Sequence, residues 1–275
     1  MDTNCFEGLW RATLKMEDTA SIVLQEMLKP YEQVVEDLYE CGVTVATLNS
    51  KRKVDSHEDL IVAALFLKRC LNDFRAVWRL LNIGYTSQAA CIAAATFEYA
   101  LMISVVSGRV DRARIINELD ETESPWKASE LCQMEVDALR EEAKINGERF
   151  SKADSKKAYK SLYSLYKWLC KIKHPTLLSV QYDAGATSTR DGEYVIMAAP
   201  DIDVLDLANK YKVLNVLIGR LHAAIRKFAF SMGLEHEDSR VTEWIDRFNS
   251  ISLAWVAANK SLENVQIPIR ITLNK

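Results

Sequence analysis

Two kinds of residue in this 275-residue chain could do chemistry by type and spacing. One is a carboxylate stranded among apolar residues; the other is a file of cations that ends on a histidine. Glu98 lies in the middle of AACIAAATFEYALMISVV, residues 89–106. A carboxylate buried there must be paired, hydrogen-bonded or protonated. Arg75 and Arg79 of the preceding helical segment, and His174, are its candidate partners. The plain reading is an internal salt bridge that fixes helix register; the sharper one is a catalytic carboxylate. The cations are Lys156, Lys160, Lys167 and Lys171, with Tyr163 among them and His174 at the end. At about 100° per helical residue they fall within about a quarter of a helix circumference. Ala158, Leu162, Leu165, Leu169 and Ile172 lie opposite and must face the core. A cationic stripe carrying an aromatic ring can hold phosphates or RNA. A solvated lysine face is the alternative, and cations in a last turn also complement the helix dipole.

Other chemistries are set aside by missing patterns. The chain has no GxGxxG, no P-loop and no GxSxG elbow. His57 and His236 are each followed by glutamate, but Ile61 and Arg240 stand where the second histidine of HExxH belongs. None of the four histidines has a carboxylate three residues before it, so the di-iron ExxH pattern is absent. Cys170 and His174 have one-turn spacing without a second pair. No metal and no cofactor are expected. Six cysteines (Cys5, Cys41, Cys70, Cys91, Cys132 and Cys170) form no CxxC and read as reduced, buried thiols.

The segment YSLYKWLCKIKHP, residues 163–175, together with Thr96, Phe97 and Glu98, resembles a bacterial all-helical family known only as a domain of unknown function. That family has an RSLFE-like helix and a later Y-x-x-L-S-x-x-x-H helix end. Tyr166, Leu169 and His174 match the second motif, with Cys170 in the serine's place. Phe97 and Glu98 match the first, whose arginine falls on Ala94. The resemblance covers residues 57–233 and implies an all-helical fold with Glu98 near His174; it implies no established activity. More distantly the chain resembles the HEPN class of helical ribonucleases, small bundles with an R-x4–6-H motif. No arginine precedes His174 at that spacing. Arg52 and His57 have it, in a loop and at a helix start.

Hydrophobic periodicity supplies the elements that would position these residues. Helices are expected over residues 9–28, stopped by Pro30, and 31–48. A third covers 57–83, started by Ser56 with Asp59 in a relative of the capping box. Its stripe is Leu60, Ala64, Leu67, Leu71, Phe74 and Trp78. The apolar helix 89–106 follows, then 109–119, then 126–146 entered through Ser124 and Pro125, then 152–173. Residues 177–182 and 193–197 read as strands joined by a polar loop, 183–192. Val204, Leu207, Tyr211, Leu214, Ile218, Leu221, Ile225, Phe228 and Met232 form a heptad seam. Val213, Val216, Leu217 and Ala224 widen it, which favours a core helix over a coiled-coil dimer seam. A helix over 239–259 precedes a tail, 263–273, whose alternation predicts a strand placed at an edge by Pro268.

The expected fold is a single all-α domain over residues 1–275. It is a bundle of about eight helices (core 57–259, N-terminal helices 9–48) with a small β appendage from the 177–197 hairpin and the C-terminal strand. Apolar residues make up 49% of the chain and charged residues 27%, enough for a core and a solvated surface. The net charge of −3 argues against a surface that binds nucleic acid throughout. The N-terminus shows no secretory pattern, so a cytoplasmic protein is expected. Residues 89–106 are long enough to cross a membrane, but a charge at the centre would cost roughly 2.5–3.5 kcal/mol, so no membrane partner is expected. The heptad seam and the orphan strand point to a helical module that acts through a protein partner or as a homo-oligomer. The rival is a ribonuclease or phosphate- and RNA-binding protein using His174, Glu98 and the lysine stripe.

Overall fold

The computed structural model describes residues 8–119, 124–175, 188–190, 193–195, 200–201 and 204–263. Among them eight α-helices build a bundle around one main hydrophobic core, the all-α architecture that the periodicity predicts.

Helix α1, Leu9–Thr44, runs through Pro30 where the sequence predicts a break. An interior proline costs about 3 kcal/mol. Leu24 and Leu28 before it, and Tyr31, Val34, Val35 and Leu38 after it, are buried on one continuous face. Each such burial contributes roughly 1.5–3 kcal/mol, so the packed face outweighs the one lost backbone bond.

Helix α2, Glu58–Asn82, buries Leu60, Leu67, Leu71 and Phe74 of the expected stripe. Its start differs from expectation. A single 3₁₀ turn, Val54–Ser56, leads into it, and His57 occupies the N-cap without a side-chain bond. Asp59 is instead fully buried, accepting from Arg52 Nη2 at 2.7 Å and from the Gly108 amide at 2.8 Å. Arg52 also donates to the Ser231 carbonyl at 3.0 Å. A capping carboxylate is thus drawn into a tertiary tie between three segments.

Helix α3, Thr86–Val106, is the apolar helix and the centre of the bundle, with α2, α5, α6 and α7 around it. Its mean hydropathy of 1.8 and its length fit a membrane span, yet 72% of that stretch is buried by neighbouring helices. Ala89, Ala90, Ala93 and Ala94 are wholly buried, and their small side chains let the adjacent backbones approach. Gly108, at φ 83°, turns the chain into α4, Val110–Glu118.

Helix α5, Ala128–Ile145, begins later than Ser124 and Pro125 predict. Ser124 donates to the Trp126 carbonyl, and the Glu130 carboxylate caps the Lys127 amide at 2.7 Å. Helix α6, Lys152–Lys173, has the expected bounds, set by reciprocal bonds between Ser151 and Asp154. Helix α7, Val204–Met232, carries the heptad seam. Leu207, Tyr211, Leu214, Ile218, Leu221, Ile225, Phe228 and Met232 are all buried within the chain. From Leu207 to Met232 the seam is therefore a core face rather than a coiled-coil surface.

Helix α8, Ser239–Glu263, runs antiparallel to α1. Trp244 Nε1 bonds the Cys41 carbonyl at 3.0 Å, Arg247 pairs with Asp37 at 2.6 Å, and Tyr31 donates to Asn259 at 2.8 Å. Outside the helices, Ser188–Arg190 and Glu193–Val195 pair antiparallel. The strands expected at 177–182 and 263–273 lie outside the described residues, apart from Glu263, which belongs to α8.

Candidate functional site

Glu98 projects from α3 toward α6, and Tyr166 of α6 donates its phenol to Glu98 Oε1 at 2.8 Å. The carboxylate is half-buried rather than sealed in the core. None of its expected partners meets it among the described residues. Arg75 lies over the Tyr39 ring at 5.7 Å, and Arg79 is exposed. His174 is the exposed C-cap of α6. It stands eight residues past Tyr166, about 12 Å along the axis. The two segments that carry the family resemblance do meet, but through Glu98 and Tyr166.

A polar cluster surrounds this contact. Phe97, wholly buried, has the Tyr166 ring 5.7 Å away and the Arg220 guanidinium of α7 5.9 Å away. Arg220 lies 3.7 Å from Glu135, buried on α5. Cys132 sits one turn before Glu135, and Cys170 one turn after Tyr166. Burial, then Cys170, then Glu98 push the Tyr166 phenol far above its usual value, so it remains a protonated donor. Burial raises the Cys132 thiol to about 12, against the pull of Arg220. Cys132 is thus a neutral thiol, not a nucleophile, at physiological pH. Burial also lowers Arg220, opposed by Glu135, though a guanidinium stays charged at any neutral pH. Among the described residues no group of three or more His, Cys, Asp or Glu side chains could hold a metal ion.

The lysine stripe is real as a surface. Lys156, Lys160, Lys167, Lys171 and His174 are exposed, and none is in an ion pair among the described residues. Beside them on the helix runs a ladder of rings. Tyr159 stacks on Tyr163 at 5.7 Å and Tyr163 on Tyr166 at 6.2 Å. Lys167 lies 5.8 Å from the Tyr163 centroid. Lys212 of α7 extends the face, its ammonium 4.1 Å over Trp168. Burial, and after it Lys171, lower the Lys212 ammonium. Two helices therefore present like charges to one another across this face.

Sequence reasoning missed Glu135 and Arg220, although one signal existed. Leu131, Cys132, Glu135 and Val136 share the buried face of α5, so a charge stood among core positions. It also missed a second buried pair at the start of α7. Lys210 is fully buried and bonds Asp206 at 2.6 Å and the Asp201 carbonyl at 3.0 Å. Thr86, in the first turn of α3, donates to the same Asp206 oxygen, and Asn209 donates to the other at 3.0 Å. Every partner is internal, so this pair fastens α7 to the N-terminus of α3.

Comparison with protein-family models, with curated proteins and with solved structures finds no match.

Proposed function

We propose that the protein is a binding module whose working face is the lysine–tyrosine surface of α6, and that its ligand is single-stranded RNA. The observation that carries this reading is the set of four exposed lysines, in no ion pair among the described residues, beside three stacked tyrosines. From Lys156 to Lys171 the stripe is about 22 Å long, a length that suits a few nucleotides of an extended strand. Lysines track phosphates, and a half-exposed ring offers a stacking surface to a base. The net charge of −3 does not oppose this, because α6 by itself carries seven lysines against one acid, Asp154.

The test is fluorescence anisotropy of a labelled single-stranded RNA at several salt concentrations. The comparison is a variant with Lys156, Lys160, Lys167 and Lys171 all changed to glutamine. Salt-sensitive binding that the variant loses supports the reading; equal binding by both proteins rejects it. A denaturing gel of the same mixtures, beside His174→Ala, addresses the ribonuclease alternative implied by the HEPN-like resemblance. Cleavage that disappears in His174→Ala would turn the binding face into part of an enzyme.

A second reading has its own observation. The first turns of α1 expose Leu9, Trp10 and Leu14, with Ile22 further along, and no residue of α1 before Ala20 is buried. An apolar helix end of this kind suits a protein partner or a second copy of the chain. Sedimentation of the wild type beside Trp10→Ser/Leu14→Ser reads out self-association directly.

A further inference from the structure

Away from α6, the C-terminal end of α3, the start of α4, the outer side of α5 and the end of α7 enclose a cleft of about 350 Å³. That volume lies within the range of small-molecule pockets. Its lining carries Arg109 and Arg112 of α4, Lys227 of α7, and Asp137 and Glu141 of α5. The two sets do not neutralise each other. Arg109 pairs with Asp111 beside it at 2.9 Å. Arg112 spends one of its five donors on the Val105 carbonyl at 2.9 Å and makes no ion pair among the described residues. Lys227 lies 5.8 Å from the Phe230 ring centroid. Glu141 acts electrostatically on both arginines without reaching ion-pair distance.

Three further observations point to a ligand. Burial first, and then the neighbouring Arg109, disfavour the Arg112 charge; Asp111 and Glu141 offset this only in part, and an anion between the arginines would relieve more of it. Ser104 is only 6% exposed, and it lines the cleft. Phe230, a large apolar ring that borders the cleft, is 80% exposed.

We infer that this cleft binds a nucleoside monophosphate. The phosphate sits between Arg109, Arg112 and Lys227 with Ser104 donating to it, the base lies on Phe230, and its amino group faces Glu141 and Asp137. Guanidinium forks match phosphate oxygens, and a flat ring gains by covering an exposed phenyl face. The carboxylates in the lining accept from an exocyclic amine and repel further phosphates, which favours a monophosphate over a triphosphate. The inference does not rest on RNA binding at α6.

The test is isothermal titration of the full chain with AMP, ATP and inorganic phosphate. AMP is expected to bind more tightly than either of the others. Arg112→Gln should weaken AMP by about tenfold or more, the usual effect of losing a charge-assisted bond. Phe230→Ala, a change at an exposed position that leaves the fold intact, should weaken AMP and leave phosphate unchanged. The four-lysine α6 variant should bind AMP as the wild type does. AMP binding lost with the α6 lysines but retained in Arg112→Gln would overturn the assignment. So would phosphate binding as tightly as AMP, or no AMP binding at millimolar concentration.

Discussion

Tyr166 donates to Glu98 across the α3–α6 interface at 2.8 Å, a phenol set against the one carboxylate of the central helix. The contact sits at the back of the tyrosine ladder, so it fixes the ring that supports Tyr163 and, through it, Lys167. Tyr166→Phe keeps the ring and removes the bond. Because Glu98 is half-buried and can take water instead, the expected loss of stability is about 1 kcal/mol. Glu98→Gln, which still accepts from the phenol, should cost less. Urea unfolding of both variants checks the order; a larger loss from Glu98→Gln would mean that the carboxylate serves another partner.

The Asp206–Lys210 pair allows a sharper prediction. Lys210→Met leaves a carboxylate buried beside Thr86 and Asn209 without its cation. Breaking a buried pair in this way costs about 3–5 kcal/mol. The double variant Lys210→Met/Asp206→Leu removes both charges and should recover much of that loss. Unfolding free energies of the two single variants and the double variant, taken as a cycle, measure the coupling. A double variant that is as unstable as the two single changes combined would show that the pair is not coupled.

The contrast between these two sites explains what was legible in the sequence. The all-α class, the α6 bounds, the core role of the α7 seam and the exposure of the lysine stripe follow from 3.6-residue periodicity, a local property of the chain. The continuity of α1 through Pro30 was not legible, because it depends on which side chains the rest of the bundle covers. The partner of Glu98 was not legible for the same reason. Arg75, Arg79 and His174 are the electrostatically obvious choices, but a phenol from another helix reached it first. Asp206 and Lys210 have the i, i+4 spacing of an ordinary surface ion pair. Only the packing of α3 against α7 shows that both are buried.

His222 makes stability depend on pH. Its ring stacks on Phe248 at 4.3 Å, and its Nε2 lies 3.3 Å from Ser252 Oγ. Burial, and after it Arg226, hold its imidazolium below the usual value near 6.5. Between the folded and unfolded values the unfolded chain binds more protons, so stability rises with pH there. The contribution of the neutral ring is complete above about pH 6.5 and is lost as pH falls through the lower, folded value. His222→Phe keeps the stack and removes the proton site. Thermal unfolding from pH 7.5 down to 5.5 should show a steeper loss for the wild type than for the variant; parallel curves would place the titration elsewhere.

The salt dependence of RNA binding tests whether the α6 lysines contact phosphates or only attract them. If Lys156, Lys160, Lys167 and Lys171 each neutralise one phosphate, log K against log salt falls with a slope of about −3 for a single strand. Each lysine-to-glutamine change should reduce the slope by a little under one and weaken binding to every sequence alike. Tyr163→Ala should behave differently. It removes a stacking surface without a charge, so affinity falls by about 1–3 kcal/mol while the slope holds. Anisotropy titrations at four salt concentrations separate the two signatures. A slope unchanged by loss of Lys167 but reduced by loss of Lys212 would move the phosphate path from the ladder to the α6–α7 edge, where Lys212 covers Trp168.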